Sequence, residues 1–138
     1  MVVPLFFMVM FGLIDLGRYV YTANALNQAT REAARYGTVP SWAAECPAGV
    51  SPVARDGCVS ATTVGRLAGV DRGAVVVTVA CQRLDARTGA MGTVAIDGCR
   101  TNDVLVVTSR TTFTLLTPLV AQFLGSQQID GLTQMTVN

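Results

Sequence analysis

MVVPLFFMVMFGLIDLGRYVYTANALNQATREAARYG, residues 1–37, is the stretch that decides the fold of this chain. Its first fourteen residues carry no charge, and its one proline, Pro4, lies near the first turn, where a helix tolerates it. We therefore predict one continuous helix over residues 1–37, with Gly37 as its C-terminal stop. About 35 residues would extend roughly 52 Å, so part of the helix must project from a small domain.

The predicted helix has an apolar half, residues 1–16, and an amphipathic half, residues 17–37. Fourteen uncharged residues extend about 21 Å, whereas a bilayer core requires about 20 residues. A full span would thus need further apolar residues, a thinner bilayer or partner helices. Asp15 and Arg18 are three residues apart and can pair on one face. The amphipathic half offers an apolar face of helical period for docking, made of Leu16, Tyr19, Val20, Ala23, Leu26 and Ala33.

A cleaved signal peptide is the alternative reading of an apolar N-terminus. No basic residue precedes Val2, and the helical pattern continues past the apolar half into charged residues instead of ending in a cleavage site. We therefore favour a retained helix. Ala25, Ala29 and Ala33 form a stripe of small residues that either lets another backbone approach or packs on the chain's own head, and we favour the head.

Residues 38–138 are expected to form an extracytoplasmic, β-rich head. Runs of β-branched residues predict strands over residues 73–81 and 103–116, with a closing strand over 132–137 and a small one over 93–96. Short helices are expected over 60–68, capped by Ser60, and over 117–124. Residues 38–57 have the composition of a loop. The expected fold class is α+β, a long N-terminal helix packed on a small antiparallel sheet.

Four cysteines behind an apolar N-terminus indicate an oxidising compartment and disulfide bonds. Three pairings are possible. We predict Cys46 with Cys58 and Cys81 with Cys99, because each pair closes a local loop and each second cysteine follows Asp-Gly, which favours a tight turn. The spacing C-x2-C, typical of zinc sites, does not occur.

Composition excludes most catalytic functions. All ten basic residues are arginine, so the chain lacks the lysine and histidine side chains that most often serve as bases, nucleophiles or metal ligands. No phosphate-binding loop or G-x-S-x-G motif occurs. Asp97 and Asp103 could form a carboxylate pair, but we interpret both as turn residues. A net charge of +1 gives no field for nucleic acid. We expect no enzyme activity, cofactor, metal or small-molecule substrate.

Several segments resemble the TadE-like family of pilin-like proteins of tight-adherence pili. They are VPLFF (3–7), FGLIDLGR (11–18) and the run from Ala25 through REAARYG (31–37), and the likeness continues more weakly into the head. The resemblance implies a non-enzymatic, pilin-type protein that is inserted in the inner membrane before assembly and then lies on the cell surface. The family commonly has further residues, one of them acidic, ahead of the apolar block. We therefore expect either a processed chain or part of a longer precursor.

Three functions compete. The first is a structural subunit that assembles with copies of itself into an extracellular filament. The second is a minor pilin-like protein that stays in the inner membrane and assists a pilus made of other pilins. The third is a tethered adhesin that uses Trp42 and the disulfide-closed loops for recognition. For the first we expect the self-association surface to comprise Val2, Val3, Leu5, Phe6, Phe7, Val9, Met10, Phe11, Leu13, Ile14 and Leu16.

Overall fold

The long N-terminal helix and a four-stranded sheet organise the protein. The computed structural model describes residues 2–44, 46–47, 49–50, 54–117 and 125–138. Its helices are α1 (Val2–Thr38) and α2 (Arg55–Arg66). Its strands are β1 (Val75–Leu84), β2 (Met91–Val94), β3 (Val104–Phe113) and β4 (Gln127–Thr136), and single 3₁₀ turns lie at Arg72–Ala74 and Ile96–Gly98. The expected α+β class is confirmed.

The sheet is antiparallel throughout, in the order β2-β1-β3-β4. Both helices pack on one of its faces, α1 across β3 and β4 and α2 against β1. Alternate β3 residues point to that face and are buried, whereas Arg110 and Thr112 on the other face are exposed. The alternation of apolar and polar residues in the strands therefore places the core between the sheet and the two helices.

Two clusters of buried residues make up this core. One cluster joins the C-terminal part of α1 to α2 and the middle of the sheet through Ala33, Ala34, Val59, Leu105 and Val107. The other joins the middle of α1 to the ends of β3 and β4 through Leu26, Ala29, Leu67, Phe113 and Ile129. Ala29 and Ala33 thus pack on the chain's own head, as favoured from the sequence. Burial of apolar side chains, the dominant favourable contribution to folding, therefore stabilises the packing of α1 on the head.

Two helix boundaries differ from the expectation. Helix α1 continues to Thr38, and Gly37 lies inside it, where a side chain would collide with Val59 and Leu105. Helix α2 begins at Arg55, so Ser60 is not its cap, and Asp56-Gly57-Cys58 is its first turn, not a tight turn. Burial of Cys58, Val59 and Thr63 on one face of α2 stabilises this earlier start.

The other predicted elements are found with shifted bounds. Strand β4 is longer than the run predicted over 132–137, and the small strand lies at Met91–Val94. The apolar docking face of α1 is shorter than expected, since Leu16 and Val20 are exposed, and the apolar contacts with the head begin at Tyr19 and Ala23. The helix predicted over 117–124 lies largely outside the described residues.

Candidate assembly surface

The apolar segment of α1, residues 3–14, lies free of the head. Its large side chains are 37–66% exposed, and they point to all sides of the helix. Phe7 contacts Phe6 and Phe11, with ring centroids 5.9 and 6.2 Å apart. Water cannot solvate so large a contiguous apolar surface without cost, so the segment requires lipid or other protein around it. The side chain of Val2, which the sequence assigned to the same surface, lies outside the described part of the chain.

Helix α1 is also the one described helix that is long and apolar enough to cross a membrane, by length and composition alone, over Val3–Thr38. Signal sequences and core helices of soluble proteins can pass the same test. Only 6% of its most apolar window is buried inside the protein, however, which is unlike a core helix. The free surface of the segment is therefore consistent with a membrane-embedded end.

Asp15 marks the point where α1 leaves the head. Its carboxylate is 4% exposed and accepts hydrogen bonds from the backbone N–H groups of Leu116 and Thr117 at 3.1 and 3.0 Å, and from Thr117 Oγ1 at 2.7 Å. Arg18 Nη1 lies 3.5 Å from Asp15 Oδ1. The sequence indicated only the contact with Arg18. The three donors from the segment after β3 satisfy a charge that could not otherwise be buried.

Aromatic packing supports the helix one turn further on. The rings of Tyr19 and Phe113 meet edge to face with centroids 5.6 Å apart, and the guanidinium carbon of Arg18 lies 5.4 Å from the centre of the Phe113 ring. Tyr21 donates a hydrogen bond to the carbonyl of Ala68. These contacts hold residues 15–21 at a defined angle to the sheet, so the apolar segment projects in a fixed direction.

The comparison with known families agrees with this geometry. Residues 1–35 match the family model of TadE-like proteins. The match covers the apolar segment, Asp15 and most of the part of α1 that packs on the head. The match and the free apolar helix support a pilin-like protein associated with a tight-adherence pilus. The TadE-like family is a pilin-like structural family that is not known to be enzymatic. Neither the curated proteins nor the solved structures that were searched include a match.

Both predicted disulfides form. Cys46 and Cys58 tie the loop after α1 to the first turn of α2, and Cys81 and Cys99 join β1 to the turn before β3. Trp42 is partly buried, its carbonyl accepts a hydrogen bond from the Tyr36 hydroxyl, and the guanidinium carbon of Arg55 lies 5.4 Å from its ring centre. These contacts hold Trp42 within the head's own packing.

An ion pair between a buried carboxylate and a partly exposed guanidinium lies beside the second disulfide. Asp103 accepts hydrogen bonds from Arg83 Nε at 2.7 Å and Arg83 Nη2 at 2.6 Å, and from the backbone N–H of Arg100 at 2.7 Å. These donors, Arg83 first, lower the pKa of Asp103 to about 2. Asp103 closes the turn before β3, as interpreted from the sequence, and its side chain in addition links β1 to that turn.

Two described features of the head bring polar side chains together. Cys81, Cys99 and Asp103 lie close enough together to suggest metal ligands, but the two sulfurs are bonded to each other. A surface groove of about 430 Å³ between α1 and the chain after α2 is lined by Tyr21, Asn24, Gln28, Glu32 and Arg66, and Glu32 is paired with Arg66 at 3.1 Å. The apolar segment is therefore the candidate functional surface.

Proposed function

We propose that this protein is a structural pilin-like subunit that assembles with copies of itself into an extracellular filament. The apolar segment is surrounded by lipid in the inner membrane before assembly and by the helices of neighbouring copies afterwards. Residues 1–37 supply the assembly helix, and residues 38–138 form the outer, disulfide-bonded head.

One observation carries this proposal. The side chains of residues 3–14 are exposed on every side of α1, and none of them belongs to either core cluster of the described residues. A helix that is apolar all round needs burial all round. A lipid bilayer meets this need before assembly, and the helices of neighbouring copies meet it afterwards.

The competing function is a minor protein that stays in the inner membrane and assists a pilus made of other pilins. It uses the same apolar segment, so the two functions differ in stoichiometry. A filament preparation in which this chain is the main band supports the structural subunit. Trace amounts in the filament, with most of the chain in the inner membrane, support the assisting role.

The role of the apolar segment is tested by Phe7→Arg in the native cells. A charge placed in hydrocarbon or in a dry helical bundle costs several kcal/mol, about 3 by insertion measurements, so filaments should be lost. The matched control is Gln28→Arg, which adds the same charge to an exposed position of the docked half of α1. Normal filament yield from Phe7→Arg, measured by electron microscopy and by sheared protein, would contradict the proposal.

A further inference from the structure

A groove lies beside α1 near the residue where the helix leaves the head. Its volume is about 350 Å³, within the range of small-molecule sites. Helix α1 contributes Arg18 and Thr22 to its lining, the chain after α2 contributes residues 69–71 and Ala74, and the end of β3 contributes residues 111–114. Arg18 and Asp71 are the two charged residues among the described residues that line it. We call this the head-group groove.

Arg18 presents hydrogen-bond donors to this groove. Its side chain is 46% exposed, and the carboxylate of Asp15 lies 3.5 Å away. That carboxylate already accepts three shorter hydrogen bonds from Leu116 and Thr117. The ring of Phe113, whose centre is 5.4 Å from the guanidinium carbon, helps to hold the arginine in place. A planar guanidinium with unused N–H groups matches the paired oxygens of a phosphate.

Arg18 also lies at the depth of phospholipid head groups. Asp15 is bonded to the non-helical backbone of Leu116 and Thr117, and backbone of that kind does not lie in the lipid-exposed hydrocarbon. The hydrocarbon therefore ends near Asp15. Arg18 is three residues further along α1, about 4.5 Å. The polar layer on each side of a bilayer is about 5–7 Å thick, so Arg18 meets phosphate groups there.

A second groove connects the first to the apolar segment. Its volume is about 360 Å³, it shares Arg18, Thr22 and Gly69 with the head-group groove, and Ile14 and Gly17 also line it. Ile14, Gly17 and Arg18 lie on one face of α1 because they are separated by three and four residues. No described atom lies within 4 Å of the position that a β-carbon of Gly17 would take. A molecule held at Arg18 can therefore extend an acyl chain along this face toward the hydrocarbon.

Asp71 adds a negative charge to the head-group groove. It is exposed, and one of its carboxylate oxygens accepts a hydrogen bond from the backbone N–H of Gly73 at 3.0 Å. Its neighbour Arg72 donates instead to the carbonyl of Leu67. The groove thus offers a guanidinium and a carboxylate together. A ligand that satisfies both carries a phosphate and a nearby ammonium group, which is the chemistry of a phosphoethanolamine head group.

We propose that the head-group groove binds one phospholipid that carries a primary ammonium group. Arg18 binds the phosphate, Asp71 accepts hydrogen bonds from the ammonium, and an acyl chain follows Ile14 and Gly17 into the hydrocarbon. A choline head group fits less well, because its methylated nitrogen has no N–H to donate to Asp71. The inference rests on the membrane-inserted state that the proposed function requires before assembly. The bound lipid holds the head at a fixed height on the membrane surface.

The test titrates the detergent-solubilised full chain with phosphatidylethanolamine and with phosphatidylcholine of identical acyl chains, and native mass spectrometry counts the bound lipid. The unaltered chain should bind one phosphatidylethanolamine at least fivefold more tightly than phosphatidylcholine. Arg18→Gln should weaken binding of both lipids at least tenfold. Asp71→Asn, which keeps an acceptor for Gly73, should still bind but lose the preference. Arg31→Gln removes an exposed α1 arginine outside both grooves and should stay within twofold of the unaltered chain.

Two results would overturn the lipid site. One is equal binding of the two lipids by the unaltered chain, and the other is unchanged binding by Arg18→Gln. If Arg18→Gln fails to form its disulfides, the preference measured in Asp71→Asn decides instead. Glycerophosphoethanolamine, which has the head group without acyl chains, should not displace the lipid at equal concentration, and displacement would show that the groove takes a soluble ligand.

The lipid site and the proposed function can fail separately. Lipid binding is measured on solubilised chains, whereas filament formation is measured in the native cells. A chain that binds the lipid selectively but forms no filaments supports the site and contradicts the proposed function. A chain that forms filaments but shows no selective lipid binding contradicts the site alone.

Discussion

Thr117 Oγ1 donates a 2.7 Å hydrogen bond to Asp15 Oδ2, joining two residues that are 102 positions apart in the sequence. The bond connects the middle of α1 to the segment that follows β3. Because the two backbone N–H groups of Leu116 and Thr117 donate to the same carboxylate, the contact is a small anion site built by the head for its own helix. It fixes the residue at which α1 becomes free to project.

Asp15→Asn should weaken this contact. The amide has one acceptor oxygen instead of two, so its NH₂ group would face either the N–H of Leu116 or the N–H and hydroxyl of Thr117. Hydrogen bonds to a charged group contribute about 1.5–3 kcal/mol each, so we expect the free energy of unfolding to fall by about 2 kcal/mol. Hydrogen exchange of the detergent-solubilised full chain, read at the amides of residues 116 and 117, should accelerate more than tenfold.

The matched control for that substitution is Asp130→Asn. Asp130 is exposed and lies 3.6 Å from Arg110, a surface pair of the kind that contributes between 0 and 1 kcal/mol. Its substitution should leave exchange at residues 116 and 117 unchanged. Equal exchange rates in Asp15→Asn and the unaltered chain would show that the carboxylate does not hold the segment after β3.

Gly37→Ala should destabilise the head although alanine is the better helix former. A β-carbon at Gly37 would lie 2.6 Å from Val59 Cγ2 and 2.7 Å from Leu105 Cδ2, so α1, α2 and β3 would have to separate. Overpacking of this kind costs about 1–3 kcal/mol, which exceeds the gain of about 1 kcal/mol in helix propensity. Urea unfolding followed by circular dichroism measures the change.

Gly65→Ala should change the free energy of unfolding in the opposite direction in the same urea experiment. Gly65 lies in α2 with no described atom within 4 Å of its β-carbon position. The substitution should therefore stabilise the protein, by up to about 1 kcal/mol. If both alanine variants change stability in the same direction, the close approach at Gly37 does not control packing.

The sequence contains the information for elements that depend on local pattern. Uninterrupted helical period predicted α1 almost to its end, and β-branched runs predicted β1 and β3. The cysteine pairing followed from short loops. The predicted start of α2 is wrong because Cys58 and Val59 are buried against α1 and the sheet, and this burial outweighs the capping preference of Ser60. No local sequence pattern predicts that burial.

Contacts between distant segments could not be predicted from one sequence. Asp15 was assigned to Arg18, its neighbour in the helix, while its principal donors come from residues 116 and 117. Arg83 and Asp103 are twenty residues apart, and no local sequence pattern predicts that their side chains form an ion pair. The exposure of Leu16 and Val20 could not be predicted either, because the helical period identifies an apolar face but does not identify the residues that pack against it.

The Arg83–Asp103 pair should make stability depend on acid pH. The pKa of Asp103 is about 2 in the folded protein, below its ordinary value of 3.8, so the folded state holds the carboxylate in its charged form. A group whose pKa is depressed on folding adds stability above the unfolded pKa and loses it as the pH falls through the folded pKa. We therefore expect this contribution to be complete above about pH 5 and to disappear between about pH 5 and pH 1, most steeply between the unfolded pKa of 3.8 and the folded pKa of about 2.

Asp103→Asn isolates this contribution. The variant should be less stable than the unaltered chain at pH 6, and the difference in unfolding free energy should shrink as the pH approaches 2, where Asp103 itself becomes neutral. Backbone N–H groups of Arg87 and Thr88 also lower the pKa of Asp85, but that group is present in both proteins and cancels. A constant difference for Asp103→Asn over the same range would mean that the ion pair does not couple protonation to folding.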